Sequence, residues 1–532
     1  MAFLRSYYQM IRASLGVIIL ALSFAIAGAQ QRAVYENPVI PGDFPDPSII
    51  RVGRDYWATA TSGDWAPEFP LLYSDDLVNW DAVGAIFQRH PGWAAQNFWA
   101  PEISAYRGRF FVYYTARRKG GPLCIAMASA KSARGPYTDH GPLVCQELGS
   151  IDAMAVEDEH GHRYLVWKED GNSRNQPTIL WTQRLSVDGT RLVGSRKELI
   201  RNDPLSWEGG VVEGPFILRR DNWFYLFYSG NACCGRECNY AMGVARSRRL
   251  LGPWQRNPNN PILAANETWK CPGHGSIVSD PQGRNFLLYH AFTRGEGAFN
   301  IGREAMLDEV TWVEDGWPAI NHGKGPSKQA PSPFGDKQRL TVNSVFDDFV
   351  SLMLKPVWEW PQVSEPEIGL EQGDGGSLVL TSTGDRVDDT IGAVVAQRAT
   401  TADYIATTLV STAGMKEGTL AGLSAYSGRD DALGIAGGPG RIIVYLRERK
   451  QQRVVKAFNT TITPQLYLRM RVKGGSHYRF SFSGDGREWK DAGEEIDGSF
   501  LEGARISLTA GGVKGASARF EWFRITPSSV PN

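Results

Sequence analysis

Apolar positions along this chain fall in short runs separated by turn residues, with almost no helical periodicity. Five runs are built alike: a turn residue, two variable positions, an aromatic, then an apolar or aromatic stretch. They read GRDYWATA from position 53, GRFFVYYT from 108, GHRYLVWK from 161, DNWFYLFY from 221 and GRNFLLYH from 283. Their anchors, Tyr56, Phe111, Tyr164, Phe224 and Phe286, recur at intervals of 53 to 62 residues. Each predicts a buried strand entered through a turn. A second signal follows each anchor, as YSDDLVNW, SAKSARGPY, QRLSVDGTRL, ARSRRLLGPW and REAMLDEVTW, and several of these end in an aromatic. Five equivalent groups of short strands predict radial blades around an axis, so the fold class is all-β with a five-bladed β-propeller over about 35–320. The polar, Gly/Pro/Ser-rich stretch HGKGPSKQAPSPFGDK predicts a linker at 321–344. Beyond it, SLVLTS, RIIVYLRER, LYLRMRV, YRFSFSG and ARFEWFRI alternate apolar and polar residues and predict a β-sandwich over 345–530.

Directly upstream of the five anchored strands stand DFPDPSII, FWAPEISAY, SIDAMAVED, VEGPFILRR and GHGSIVSD. In a propeller this position is the innermost strand, beside the axis. Its polar residues, Asp46, Glu102, Asp152, Glu213 and His274, are far apart in sequence, yet the topology gathers them at one mouth of the channel. Carboxyls crowded into one pocket cannot all ionise cheaply, so one can stay protonated while another stays charged. Such pairs carry out glycoside hydrolysis. The competing assignments are a solvated strand-end carboxylate for Glu213 and a calcium site for the cluster. The D-x-D-x-D-G loop of the commonest calcium sites is absent.

Composition adds three points. Formal net charge is zero, from 57 basic and 57 acidic residues, which gives no reason to expect nucleic acid or an acidic membrane as partner. Arg5 and Arg12 precede SLGVIILALSFAIAG, which runs into Ala27-Gly28-Ala29, so residues 1–29 read as a signal peptide rather than a lasting membrane anchor. Export to the periplasm or the medium then makes disulfides the natural state of the six cysteines, Cys124, Cys145, Cys233, Cys234, Cys238 and Cys271. Cys233 and Cys234 either bridge each other or pair with Cys238 and Cys271. Zinc is disfavoured because CCGREC lacks paired C-x-x-C spacing.

The five upstream segments, taken in order, resemble glycoside hydrolase family 43. The resemblance implies that Asp46, of the Asp-Pro-Ser motif, is the general base, and that Glu213, of Glu-Gly-Pro, is the general acid. It implies that Asp152 tunes and orients the acid, although Ala153 stands where the family usually has proline. Asp43 is close enough to be mistaken for the base, but Asp46 directly precedes the apolar strand. NIGREAMLDEVTW resembles the segment whose arginine contacts the sugar, here Arg303. In some members the histidine of GHGSIV, here His274, lies near the axis and helps hold a calcium ion; no cofactor is otherwise required. Residues from VFDDFVSLMLKPVWEW to ARFEWFRI resemble the concanavalin-like sandwich of β-xylosidases and arabinofuranosidases, which can send a loop toward the pocket.

The function so implied is an exported, inverting hydrolase that releases terminal pentoses from plant cell-wall polysaccharide or its oligosaccharides. α-L-Arabinofuranosidase stands first and β-D-xylosidase second, with exo-galactanase or arabinanase behind them. Trp65, Phe98 and Trp99 are candidates for stacking on sugar, against a competing place in the propeller core. Asp152 and the apolar neighbours Val211, Val212 and Phe216 are expected to keep Glu213 protonated. The alternative from another class is a sugar-binding propeller without catalysis, which would have no use for an acid, base and tuning trio.

Overall fold

The computed structural model describes residues 33–295, 297–334, 344–373, 375–384, 389–428, 430–460 and 463–528. The expected signal peptide and part of the expected linker lie outside them. Among the described residues, five four-stranded antiparallel sheets follow one another along the chain. Their innermost strands are Ser48–Val52, Ala94–Tyr106, Ser150–Glu157, Val212–Arg220 and Trp269–Ser279. Every blade is built from strands of one continuous stretch of chain, so none borrows a strand to close the ring. Closure comes instead from the N-terminal segment, which lies against blade five. Tyr35 Oη and Asn37 Nδ2 donate to the Leu307 carbonyl at 2.7 and 2.9 Å. Ile40 bridges Ala305, and Val34–Glu36 pairs with Gln329–Pro331. That last strand lies within the stretch whose composition predicted a linker.

The anchors land where the repeat placed them. Tyr56, Phe111, Phe224 and Phe286 are buried in the second strands of their blades, and Tyr164 is half-buried. Rings, aliphatic side chains and alanines fill the spaces between neighbouring blades, which is where most of the stabilising apolar burial lies.

The C-terminal unit is a sandwich of two antiparallel sheets. Its nine-stranded sheet runs from Glu367–Gln372 through Gly376–Thr381, Ser517–Pro527, Tyr404–Ser411 and Gln465–Lys473 to His477–Ser483 and Lys490–Asp491, with two short strands paired off this path. The six-stranded sheet is Ala393–Arg398, Arg505–Gly511, Leu420–Tyr426, Ala432–Gly438, Arg441–Glu448 and Gln451–Asn459. Leu378, Leu423, Val444, Leu468 and Leu508 belong to the core between them. The outer face of the six-stranded sheet is also covered, because Trp65 of blade one packs among Val394, Tyr426, Ala432, Ala436 and Ile443. Beside it, Trp65–Ala66 pairs with Trp360–Pro361, joining the two domains by a strand pair.

Candidate active site

One backbone device is repeated around the axis. In or just before each innermost strand the chain turns through a left-handed residue at an equivalent point: Asp46 (φ 53°), Ala100 (φ 41°), Asp152 (φ 57°), Gly214 (φ 55°) and His274 (φ 42°); Asn97 and Cys271 are further left-handed residues in blades two and five. In blades two to five these residues fall inside breaks of strand register, as β-bulges do. Non-glycine residues seldom adopt this conformation, and where they do the site often has a function. The bulges turn side chains out of the blade and toward the axis. Residues that follow them, Pro47, Pro101, Ala153, Pro215 and Gly275, line a pocket of ≈ 270 Å³, open mouth included, together with Asp46, Ala100, Glu102, Asp152 and His274.

This register refines the sequence alignment. Asp46, Asp152 and His274 are equivalent, but blade two offers Ala100 and blade four offers Gly214 at the same point. Glu213 stands one residue earlier and Glu102 two residues later. Gly214 is required twice over. Its φ is positive, and a Cβ there would come within 2.9 Å of the His274 ring.

A second ring supports the first. Thr61, Thr115, Lys168, Ser229 and His290 lie in or just after the second strands, opposite the residue that precedes each left-handed one. Thr61 Oγ1 accepts from Ala100 N at 2.7 Å, Thr115 Oγ1 from Asp152 N at 3.2 Å, Ser229 Oγ from His274 N at 2.9 Å, and His290 Nδ1 from Asp46 N at 3.1 Å. Each therefore fixes the bulge of the next blade. Lys168 is the exception: its Nζ donates to Glu213 Oε2 at 2.7 Å and to Asp170 Oδ1 at 3.0 Å. The Gly214 N–H turns to Asp152 Oδ2 instead, at 3.0 Å.

The carboxylates differ in surroundings. Burial alone would lift Asp46, but Arg303, followed by His274, holds it well below the usual range. Arg303 Nη1 and His274 Nδ1 each stand 3.3 Å from Asp46 Oδ1, and Thr61 Oγ1 donates to Oδ2 at 2.7 Å. Burial pushes the His290 imidazole down to about 4, which leaves its Nδ1 free to accept at neutral pH. Burial raises Asp152 to about 6; His274 opposes this and the Glu213 charge adds to it. Burial would also raise Glu213, but the charge and hydrogen bond of Lys168, followed by His274 and a 2.8 Å bond from Tyr240 Oη, lower it. The expectation that Asp152 and the apolar neighbours keep Glu213 protonated is therefore corrected: Lys168 outweighs them. Val212 is buried beside it, yet a cation stands within 2.7 Å of the carboxylate.

The predicted residues are only partly brought together. Asp46, Asp152 and His274 line the pocket, Arg303 reaches Asp46, and Glu213 stands beside them within the influence of His274. Glu102 lines the axis below them, where burial raises it to about 8 against the opposing Ser48 hydroxyl. Trp99 stays half-buried beside Ala100. Phe98 is fully buried among Phe69, His90 and Tyr114. Trp65 is buried against Tyr426 of the sandwich. Neither Phe98 nor Trp65 has a free face for a sugar, and both are core residues. Lys168, His290 and Tyr240 were missed. The first two end the repeated runs GHRYLVWK and GRNFLLYH, so comparing the last letter of each repeat would have exposed them.

Residues 35–318 match the family described as glycosyl hydrolases family 43, and residues 346–526 match the β-xylosidase C-terminal concanavalin A-like domain. The chain belongs to glycosyl hydrolase family 43. Like other members it is a glycoside hydrolase, and inversion is general in the family. It is 26% identical to a xylosidase/arabinosidase 43B of Humicola insolens, over 93% of this chain and 98% of that one. A xylosidase/arabinosidase of Butyrivibrio fibrisolvens is 30% identical, over 55% of this chain and 57% of its own. Among solved structures, the GH43 protein BlXynB of Bacillus licheniformis superposes with a TM-score of 0.80 at 26% identity, covering 93% of this chain and all (100%) of that one.

The calcium implied for some family 43 members finds no side-chain cage here. His274 is engaged with Asp46 and, at 4.0 Å, with Asp152. Among the described residues no group of three or more His, Cys, Asp or Glu side chains could hold a metal. The three disulfides are Cys124–Cys145, Cys233–Cys234 and Cys238–Cys271. They are compatible with secretion, and no helix among the described residues is long and apolar enough to cross a membrane. Of the two pairings open from sequence, the vicinal one is adopted.

Proposed function

We propose that this glycosidase removes single terminal pentosyl units from xylan- or arabinan-derived chains, with α-L-arabinofuranosyl the first choice. The observation that carries the reading is the pair of buried carboxylates, Asp46 and Glu213, both set against His274. Asp46 is held ionised by Arg303 and His274, as suits a base that takes a proton from water. Glu213 accepts from Lys168 Nζ and Tyr240 Oη, which fix its two oxygens and keep it charged in the free enzyme, so it takes up a proton before serving as acid to the leaving oxygen. Asp152, raised to about 6 and hydrogen-bonded to the Gly214 N–H, supplies the like charge that works against Lys168. Arg303 would fix sugar hydroxyls with its remaining donors, and Trp99 offers a stacking edge. Inversion requires the acid and base about 6.5–9.5 Å apart, so that a water fits between base and sugar. No step runs through a metal.

Exo action is supported by the docking of the sandwich on the segment 297–300, a few residues before Arg303. Gly297 and Gly475 approach so closely that neither has room for a Cβ, and the Gly503 and Ala504 N–H groups bond the Phe299 and Asn300 carbonyls at 2.7 Å. The second reading, β-D-xylosidase, is favoured by the match of residues 346–526 to the β-xylosidase C-terminal domain and by relatives named for both activities.

The test is release of free pentose from aryl α-L-arabinofuranoside and aryl β-D-xyloside, with proton NMR of the first anomer formed. Inverted product and a higher kcat/KM on the arabinofuranoside are expected. A preference for the xyloside would transfer the assignment to the second reading, and a retained anomer would overturn the single-displacement mechanism. Asp46→Asn and Glu213→Gln should each lower kcat by at least about a hundredfold without changing the circular dichroism spectrum. Near-normal activity in either would remove its role.

A further inference from the structure

Asp43 lies three residues before Asp46, and its two carboxylate oxygens are divided between the domains. Oδ1 accepts from the Arg303 backbone N–H at 3.0 Å. Oδ2 accepts from Arg505 Nη2 of the sandwich at 3.2 Å. The Phe44 N–H returns a bond to the Arg303 carbonyl at 2.8 Å, so both ends of Arg303 are tied to residues 43 and 44. Its guanidinium then reaches Asp46 Oδ1 at 3.3 Å. Gly302 allows this approach, because a Cβ there would lie 2.4 Å from Asp43 Oδ1.

The sandwich touches three consecutive residues of this loop. A Cβ on Gly42 (φ +93°) would meet the Ala399 carbonyl at 3.1 Å. Asp43 meets Arg505, and the Phe44 ring lies 4.0 Å below the Arg398 guanidinium. Glu359 binds both arginines, Arg505 through Nε and Arg398 Nη2 at 3.0 Å, and Arg505 is only 1% exposed. Burying such charges is a poor way to gain stability, since apolar residues of similar volume often serve as well or better. A charged cluster does fix orientation, through hydrogen bonds at defined angles.

We propose that Arg505 is a positioning residue for the general base: the sandwich holds Asp43, Asp43 holds Arg303, and Arg303 holds Asp46. The proposal rests on the reading of Asp46 as the base. It gives the C-terminal domain a part in catalysis without contact with substrate.

The experiment compares Arg505→Met, Arg505→Lys and Gln362→Ala in the full chain. Gln362 bonds the Trp65 carbonyl at 3.0 Å, so its variant loosens the domain contact away from the Asp43 loop. In Arg505→Met, kcat on an aryl pentoside should fall on the order of tenfold, with a smaller change in KM. The acidic limb of kcat/KM should move to higher pH, because a displaced Arg303 no longer lowers Asp46. Arg505→Lys should recover part of both effects, and Gln362→Ala should show neither. An unchanged kcat and acidic limb in folded Arg505→Met overturns the proposal, as does the same displacement in Gln362→Ala. If Arg505→Met does not fold, Asp43→Asn decides. It keeps an oxygen for the Arg303 N–H but loses the charge, and a wild-type profile there also overturns the proposal. Asp46→Asn separates the two levels. Full activity in it removes the base reading and this proposal together, whereas an inactive Asp46→Asn beside a normal Arg505→Met removes only the proposal.

Discussion

Lys168 departs from its four counterparts in one respect that matters. Thr61, Thr115, Ser229 and His290 each accept a backbone N–H of the next blade, whereas Lys168 donates to Glu213. Burial works against its charge, but Glu213, Asp170 and Asp152 outweigh that and keep the ammonium protonated. Its removal should have two effects with opposite signs. Without the cation, burial and Asp152 raise Glu213, so the acid stays protonated to higher pH and the basic limb of kcat/KM moves up. Without the 2.7 Å anchor the carboxyl is less well aimed, so kcat falls by about tenfold or more. A pH–rate profile of Lys168→Met checks both, and a basic limb that stays put or moves down would show that Lys168 does not set the acid. Legibility at this scale was uneven. Asp46, Asp152 and Glu213 could be read from short motifs because each directly precedes or opens an apolar strand. Lys168 and His290 sit inside apolar runs and show nothing locally; only the comparison of repeats exposes them.

At the scale of the strand, the bulge carries the site. A regular strand alternates its side chains across the two faces of a blade, and a left-handed residue re-aims one of them toward the axis. It also places Glu102, two residues past Ala100, in the axial pocket, where only the Ser48 hydroxyl works against its burial. This acid takes up its proton more readily folded than unfolded, with a pKa of about 8 against an ordinary 4.5. The unfolded chain therefore gains by ionising between those values, and stability contributed at low pH is lost as pH rises toward 8. Glu102→Gln cannot ionise and should be more stable than wild type at pH 7, by on the order of 1–2 kcal/mol after discounting for pocket water. Near pH 4 the difference should vanish. Thermal melts of both proteins at the two pH values check this, and a destabilised variant at pH 7 would mean that the carboxylate has a partner. The equivalence of strands was legible from the repeat, but their register was not. Ala100 and Gly214 carry no chemistry of their own to mark the left-handed position.

Across the whole molecule, the two domains share charged and apolar contacts. Trp65 is the apolar part: it pairs through Trp65–Ala66 with Trp360–Pro361 and fills the outer face of the six-stranded sheet. Its truncation to alanine should cost about 3–5 kcal/mol, expressed mainly as loss of docking. Calorimetry should show one transition for the wild type and two for Trp65→Ala. A single, unshifted transition in the variant would mean that the contact contributes little. If Trp65 instead stacked on sugar, the variant would raise KM and leave melting unchanged.

By itself the sequence determined the blades, the sandwich, the family and three of the pocket's carboxylates, because each is written locally, in a periodicity or in a motif beside a turn. Tertiary structure alone decided which groups meet. The cation beside Glu213 comes from the blade before it, Trp65 turns from the pocket to the partner domain, and Arg505 approaches Asp43 from 462 residues away. A side chain's pKa and its role depend on neighbours brought together by the closing of a ring and the docking of a domain. Those are distances in space, and no local pattern along the chain records them.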